Sequence, residues 1–162
     1  MFGRKKRKKV DNSHHEKFMK KALKEAKKAY KKGEVPVGCV IVRDGQIVGA
    51  GHNLREKTNR AIAHAEIIAI EKANKKLKSW RLDSCTIYVT IEPCPMCAGA
   101  IMQSRIKEVV YGALERKNGS HQSVVNLFEQ GYNHKVEVSP GILEQECSSI
   151  ISDFFKKMRK RK

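Results

Sequence analysis

Three metal-type donors split between two short motifs place the strongest constraint on how this chain can fold. His64-Ala65-Glu66 is followed some thirty residues later by Pro93-Cys94-Pro95-Met96-Cys97. A histidine and a Cys-x-x-Cys pair supply three ligands suited to zinc, and no fourth stands at a natural spacing. Structural zinc sites close their tetrahedron with four protein ligands, whereas catalytic sites leave one position for water. Helical periodicity begins at about residue 63, and a second helix is expected over 94–104. Each half-motif therefore opens a helix directly after a loop or strand. Helix N-termini carry unpaired amides and a positive dipole end, which favour thiolate over thiol. Pro93 and Pro95 restrict the backbone around Cys94 and help fix its direction.

The remaining pattern alternates strands with helices. Ser13 is expected to cap a helix over residues 13–32, with Phe18, Ala22, Ala26 and Ala29 or Tyr30 as its apolar stripe and Gly33 as its stop. Apolar runs over 37–42 and 46–50 flank Arg43-Asp44-Gly45, a strong hairpin signal. A polar loop over 52–61 precedes the helix at 63–78, and residues 86–91 form a third strand. A fourth strand is expected over 108–111, a polar loop near 114–123, a fifth strand over 135–138, and a closing helix over 143–157. Ile150, Ile151, Phe154 and Phe155 are expected to face inward on that last helix. This order predicts one three-layer α/β/α domain around a roughly five-stranded sheet flanked by helices. Its bounds are 13–158, with a disordered basic tail over 1–12 and a basic C-terminal end over 159–162.

At 162 residues the chain fits one domain with a substantial core. No apolar run approaches the ~20 residues that cross a bilayer. No secretory pattern opens the sequence, so the expected setting is cytoplasmic and no membrane partner is expected. Five cysteines without a secretion signal argue for reduced thiols rather than a disulfide framework. Cys39, Cys85 and Cys147 read as small buried hydrophobes. The net charge of +17 is concentrated at the ends, with six basic residues in 1–9 and six more in 156–162. Such clusters suit a phosphate backbone, where each neutralised phosphate releases counterions. For residues 1–9 a solvating tail or a localisation signal fits equally well. The C-terminal cluster continues an amphipathic helix, which favours nucleic-acid contact.

Zinc brings a water's pKa to about 7. A carboxylate beside that water can take its proton and return it to a substrate nitrogen. Glu66 is the residue assigned that role; Glu92 and Glu71 are weaker candidates.

His-x-Glu with Pro-Cys-x-x-Cys resembles the signature of the zinc nucleobase deaminases. The likeness extends to Gly33-Glu34-Val35-Pro36-Val37-Gly38, Gly51-His52-Asn53-Leu54-Arg55-Glu56, Ser79-Trp80-Arg81-Leu82, Gln103-Ser104-Arg105-Ile106 and Ser152-Asp153-Phe154-Phe155. Together these segments resemble the bacterial tRNA-specific adenosine deaminases over roughly residues 14–158, within the zinc cytidine/deoxycytidylate deaminase-like superfamily. The resemblance implies a cytidine-deaminase-like fold with a mixed sheet and one Zn²⁺ per subunit held by His64, Cys94 and Cys97. It also implies proton transfer by Glu66. Asn53 would hydrogen-bond the base, Pro36 and Val37 would line its pocket, and Glu115 would stand beside the RNA backbone. The implied reaction is hydrolytic deamination of the wobble adenosine in a tRNA anticodon stem-loop by a homodimer. Ala98, Gly99 and Ala100 would allow close helix approach at a dimer interface, or simply pack against the sheet.

Three departures border the expected substrate channel. Arg60-Ala61-Ile62-Ala63 stands where the family has Asp-Pro-Thr-Ala, Glu115 replaces an aspartate, and Ser120-His121-Gln122 is bulkier than expected. An alternative is therefore a zinc deaminase acting on adenine or cytosine in single-stranded DNA, or on a free base or nucleoside. A third class, a non-catalytic RNA-binding module with structural zinc, conflicts with Glu66 and the missing fourth ligand.

Overall fold

The structure is a computed structural model and describes residues 11–161. Residues 1–10 and 162 lie outside the described residues, and with them most of the expected N-terminal tail. The first helix, α1 (Ser13–Lys31), is capped by Asn12 rather than Ser13. The Asp11 carboxylate accepts the Ser13 amide at 2.9 Å and takes over the capping bond one residue earlier. Gly33, at φ +75, lets the chain turn out of the helix.

Strands β1 (Gly38–Arg43) and β2 (Gln46–His52) form the expected hairpin. Asp44 and Gly45 both adopt positive φ, the backbone a two-residue turn between twisted strands requires. The segment expected as a plain loop contains a short helix, α2 (Arg55–Thr58), whose origin lies in the site described below. Then follow α3 (Ala65–Leu77), β3 (Thr86–Ile91), α4 (Pro95–Gln103) and β4 (Glu108–Ala113). A 3-10 turn spans Leu127–Glu129, and β5 (Glu137–Ser139) lies slightly later than the sequence pattern places it. The chain closes with α5 (Glu144–Lys160).

The sheet order is β2-β1-β3-β4-β5. β1 is antiparallel to β2 and β3, while β3, β4 and β5 run parallel, so the sheet is mixed. Strand alternation sorts the core into two layers. Cys39, Ile41, Ile87, Val89, Val109 and Tyr111 pack with α3 and α4 on one face. Val40, Val42, Tyr88 and Val110 pack with α1 and the start of α5 on the other. The chain is thus the expected α/β/α sandwich. Cys39, Cys85 and Cys147 are buried free thiols within it.

One close approach sets the position of α3. A Cβ on Gly51 would lie 2.7 Å from the Ala65 carbonyl and 2.9 Å from the Ala69 amide. Only glycine lets the helix, with its buried Ala65, Ala69 and Ala73, settle this deeply on β2. That depth decides where His64, at the head of α3, is presented. On α5 the expected inward face is narrower than the sequence suggests. Phe154 is buried, but Phe155 is 43% exposed. Adjacent helical positions differ by about 100°, so both cannot face the sheet.

Candidate active site

The loop before β1 and the loops after β2, β3 and β4 converge at one end of the sheet and enclose a cavity of about 400 Å³. His64 occupies the N-cap of α3 in an extended conformation (φ −78°, ψ 153°). Cys94 occupies the N-cap of α4 in the same way (φ −74°, ψ 172°), with Pro95 opening the helix. Two helix starts therefore face one another across the cavity floor, and Cys97 rises from the first turn of α4. His64 Nδ1 lies 3.6 Å from Cys94 Sγ and 3.5 Å from Cys97 Sγ. The three donor atoms all lie within 4.8 Å of one another.

These distances match a metal geometry. Zn–S bonds of about 2.3 Å and Zn–N bonds of about 2.05 Å at a tetrahedral angle put nitrogen and sulfur about 3.6 Å apart. An imidazole nitrogen and two sulfurs are also the donor types that zinc selects, so the residues fit the ion. The electrostatics agree. A hydrogen bond from Cys97, assisted by His64 and only partly opposed by burial, brings the Cys94 thiol down to about 4. The same bond together with burial pushes the Cys97 thiol up, and the hydrogen bond to Cys94 raises His64. A bound cation would displace the protons this cluster retains.

Glu66, in the first turn of α3, is buried at 3% exposure and lines the cavity. Burial pushes its carboxyl above the ordinary range. A carboxyl so placed can take up a proton and pass it on.

The substrate wall is built largely by capping. Glu34, 1% exposed, accepts the amides of Glu56 at 3.2 Å and Lys57 at 2.6 Å. Asn53 Oδ1 accepts the Arg55 amide at 3.0 Å, and its Nδ2 donates to the Val35 carbonyl at 3.2 Å. These acceptors satisfy the exposed amides at the start of α2, so a helix forms where the local sequence reads as loop. Asn53 still has one amide hydrogen and one lone pair free of these bonds, and it lines the cavity. Val37 lines it too, but Pro36 does not. The extended backbone turns Pro36 to the opposite side, where it is buried, and Val35 takes the lining position.

Glu115 lines the cavity from the β4 side together with Asn118. Neither Ile62 nor Ser120-His121-Gln122 reaches the lining, so of the three departures only Glu115 borders the cavity directly. Ile62 is 50% exposed outside it. Arg55, Met96 and Phe155 also line the site; each lies within a segment that resembles the family, but the sequence assigns none of them a role there.

Glu92 has a distinct task, whereas Glu71 is exposed on α3 outside this cavity. The Glu92 carboxylate is 1% exposed and accepts backbone amides from Glu115 at 3.1 Å, His121 at 2.9 Å, Gln122 at 2.9 Å and Ser123 at 3.1 Å. The Ser123 hydroxyl donates to it as well. A Cβ on Gly119 would collide with this carboxylate, which explains the glycine there. Burial alone would raise the acid, but these donors hold it below the usual range. Glu92→Gln would set an amide N–H against amide donors. Charge-assisted bonds are worth about 1.5–3 kcal/mol each, so a loss of roughly 3 kcal/mol in denaturant unfolding is expected, with a raised KM. Unfolding within 0.5 kcal/mol of the parent, on the scale of an ordinary surface substitution, would refute this anchoring role.

Comparison with known proteins agrees with the geometry. Residues 13–159 match the family of MafB19-like deaminases. The chain is 52% identical over 146 residues to the tRNA-specific adenosine deaminase of Bacillus subtilis, covering 90% of this chain and 91% of that one. It is 46% identical over 143 residues to the protein of the same name from Aquifex aeolicus, covering 88% and 94%. A solved structure from studies of A-to-I editing by tRNA:A34 deaminases at the wobble position of transfer RNA superposes with a TM-score of 0.80. It is 41% identical and covers 83% of this chain and 98% of that one.

Proposed function

The chain belongs to the deaminase family, among its tRNA-specific adenosine deaminases, and on that footing we propose how its residues convert adenosine to inosine at the wobble position of a tRNA anticodon. Water adds at C6 of the adenine, the exocyclic amine leaves as ammonia, and inosine remains. The observation that carries this reading is the tetrahedral spacing of His64, Cys94 and Cys97 beside a buried Glu66 in a cavity of nucleoside size.

His64, Cys94 and Cys97 would hold one zinc ion. When bound, zinc makes water ionisable near neutral pH. Glu66 takes one proton from the attacking water and delivers it to the purine N1, then takes the second from the new C6 hydroxyl and delivers it to the departing amine. Asn53 hydrogen-bonds the base, Val35 and Val37 contact its faces, and Glu115 stands beside the flanking RNA backbone. An anticodon loop suits this enclosure, because splaying an already unstacked base costs little. The basic last turns of α5 lie next to Phe155 at the cavity and supply phosphate contact.

The working unit is a homodimer. In α4, Ala98 is buried in the core, whereas the Gly99 position opens on free space and leaves a bare strip of helix for a second subunit. Among the described residues no helix is long and apolar enough to cross a membrane, and we place the enzyme with its substrate in the cytoplasm.

The test is comparative. An anticodon hairpin bearing wobble adenosine, DNA of the same sequence, free adenosine and free cytidine are incubated with the protein, and products are resolved by mass. Inosine from the RNA, with at least ~100-fold preference over the other three, is expected. Product mainly from DNA or a free nucleoside would replace this substrate assignment with the alternative zinc deaminase.

A further inference from the structure

Helix α1 runs the length of the sheet, and its direction is fixed by two polar contacts. Near its start, His15 Nε2 approaches Glu108 Oε1 at 3.6 Å, at the first residue of β4. Near its end, Glu25 Oε2 accepts from His52 Nδ1 at 2.8 Å, at the last residue of β2, immediately before the cavity residue Asn53. Its C-terminus leads through Gly33 and Glu34 to Val35 in the cavity wall. The helix thus extends from the cavity mouth to the opposite end of the domain, about 28 Å for 19 residues.

The outer face of this helix is almost wholly cationic. Lys17, Lys20, Lys21, Lys24, Lys27 and Lys31 are all exposed. At 100° per residue they fall opposite the buried stripe of Met19, Ala22, Ala26 and Ala29. None of the six has a carboxylate within ion-pair distance among the described residues. Two further exposed lysines have partners: Lys28 pairs with Glu25 at 2.7 Å, and Lys32, just past the helix, bonds His52 at 2.9 Å. Glu25 is also turned toward His52, which leaves Glu16 as the sole acid on the outer surface.

An ordinary solvated helix face mixes signs, because like charges three and four residues apart repel and lower helix stability. This face accumulates that repulsion from Lys17 to Lys31, over about four turns. The cationic track is continuous with the cavity rim. Lys157 of α5 lies 5.0 Å from the ring of Tyr30, and Tyr30 packs edge-on against Phe154, next to Phe155 in the cavity wall.

We propose that the outer face of α1 is a docking ridge for the phosphate backbone of the RNA stem that adjoins the loop held in the cavity. This rests on the substrate reading above. A lysine every three or four residues recurs each ~5 Å along the helix, a spacing able to follow successive phosphates. The ridge provides affinity without sequence preference, while the cavity selects the base.

The test uses the full chain with Lys20, Lys21, Lys24 and Lys27 all changed to Gln, and a matching Lys→Arg variant that keeps the charge. Binding of whole tRNA is measured across a salt series, and turnover is measured on a hairpin trimmed to the anticodon loop and its closing pairs. For the Gln variant the tRNA Kd is expected to rise tenfold or more near 0.1 M salt. The log–log salt slope should shrink by about 3, at roughly 0.7–0.9 per lost phosphate contact. The Arg variant should bind as the parent does, and trimmed-hairpin turnover should stay within twofold for all three proteins. An unchanged tRNA salt slope would overturn the ridge. So would an unchanged slope accompanied by lost binding to phosphatidylserine vesicles, which would assign the lysines to a membrane surface. Failure of the parent protein to act on the trimmed hairpin would count against the substrate reading alone, since the tRNA salt slope is read independently.

Discussion

Glu66→Gln is expected to slow deamination by about 10²–10⁴-fold, the usual contribution of a positioned general acid–base, with fold and metal content unchanged. Glutamine keeps the shape of the side chain in its buried place in α3 but cannot take up and release a proton. Single-turnover conversion of the anticodon hairpin measures the rate, and elemental analysis with circular dichroism checks metal and fold. A rate within tenfold of the parent would move proton transfer to another group. Glu92 is poorly suited to inherit it, because four backbone amides and a hydroxyl already occupy its oxygens.

Loss of the metal is expected to have the larger effect. Chelation, or Cys94→Ser, should bring turnover to background, and one equivalent of zinc should restore the chelated parent but not the variant. The readout independent of activity is thermal unfolding. A ligand present at a hundred times its Kd stabilises the folded state by about 2.7 kcal/mol. In a chain of 162 residues that corresponds to roughly 5–10 °C of midpoint. Full turnover by metal-free protein, or an unfolding midpoint insensitive to zinc, would remove the metal assignment.

The sequence revealed those features whose causes are local. Short apolar runs bounded by turns, the Asp44-Gly45 turn and the two ligand half-motifs each carry their reason within a few residues. The order of elements and the mixed three-layer sheet could therefore be read directly. What escaped depends on partners distant in sequence. Helix α2 exists because Glu34, more than twenty residues upstream, accepts its leading amides. Capping of α1 passed from Ser13 to its neighbours because the Asp11 carboxylate reaches the first free amide. Pro36 and Val35 exchange places because lining depends on which side of an extended segment meets the void. Phe155 faces the cavity because adjacent helical residues diverge too widely to share one core. The role of Glu92 was invisible for a similar reason: its donors lie 23 to 31 residues away and become neighbours only when β3 and β4 pair.

The binding of an entire segment through one carboxylate has an evolutionary corollary. Residues 115–123 are tied to the sheet chiefly by Glu92, with a second attachment from the Tyr111 hydroxyl to His121 Nδ1 at 2.8 Å. Backbone amides, common to nearly every amino acid, provide most of the other half of this clasp. Apart from Gly119, His121 and Ser123, side chains along the segment are therefore free to diversify while its path endures. Lineages can vary the part of the cavity wall that Glu115 and Asn118 supply without disturbing the His64, Cys94 and Cys97 cluster below, and a designer could graft such a stretch between relatives as a cassette.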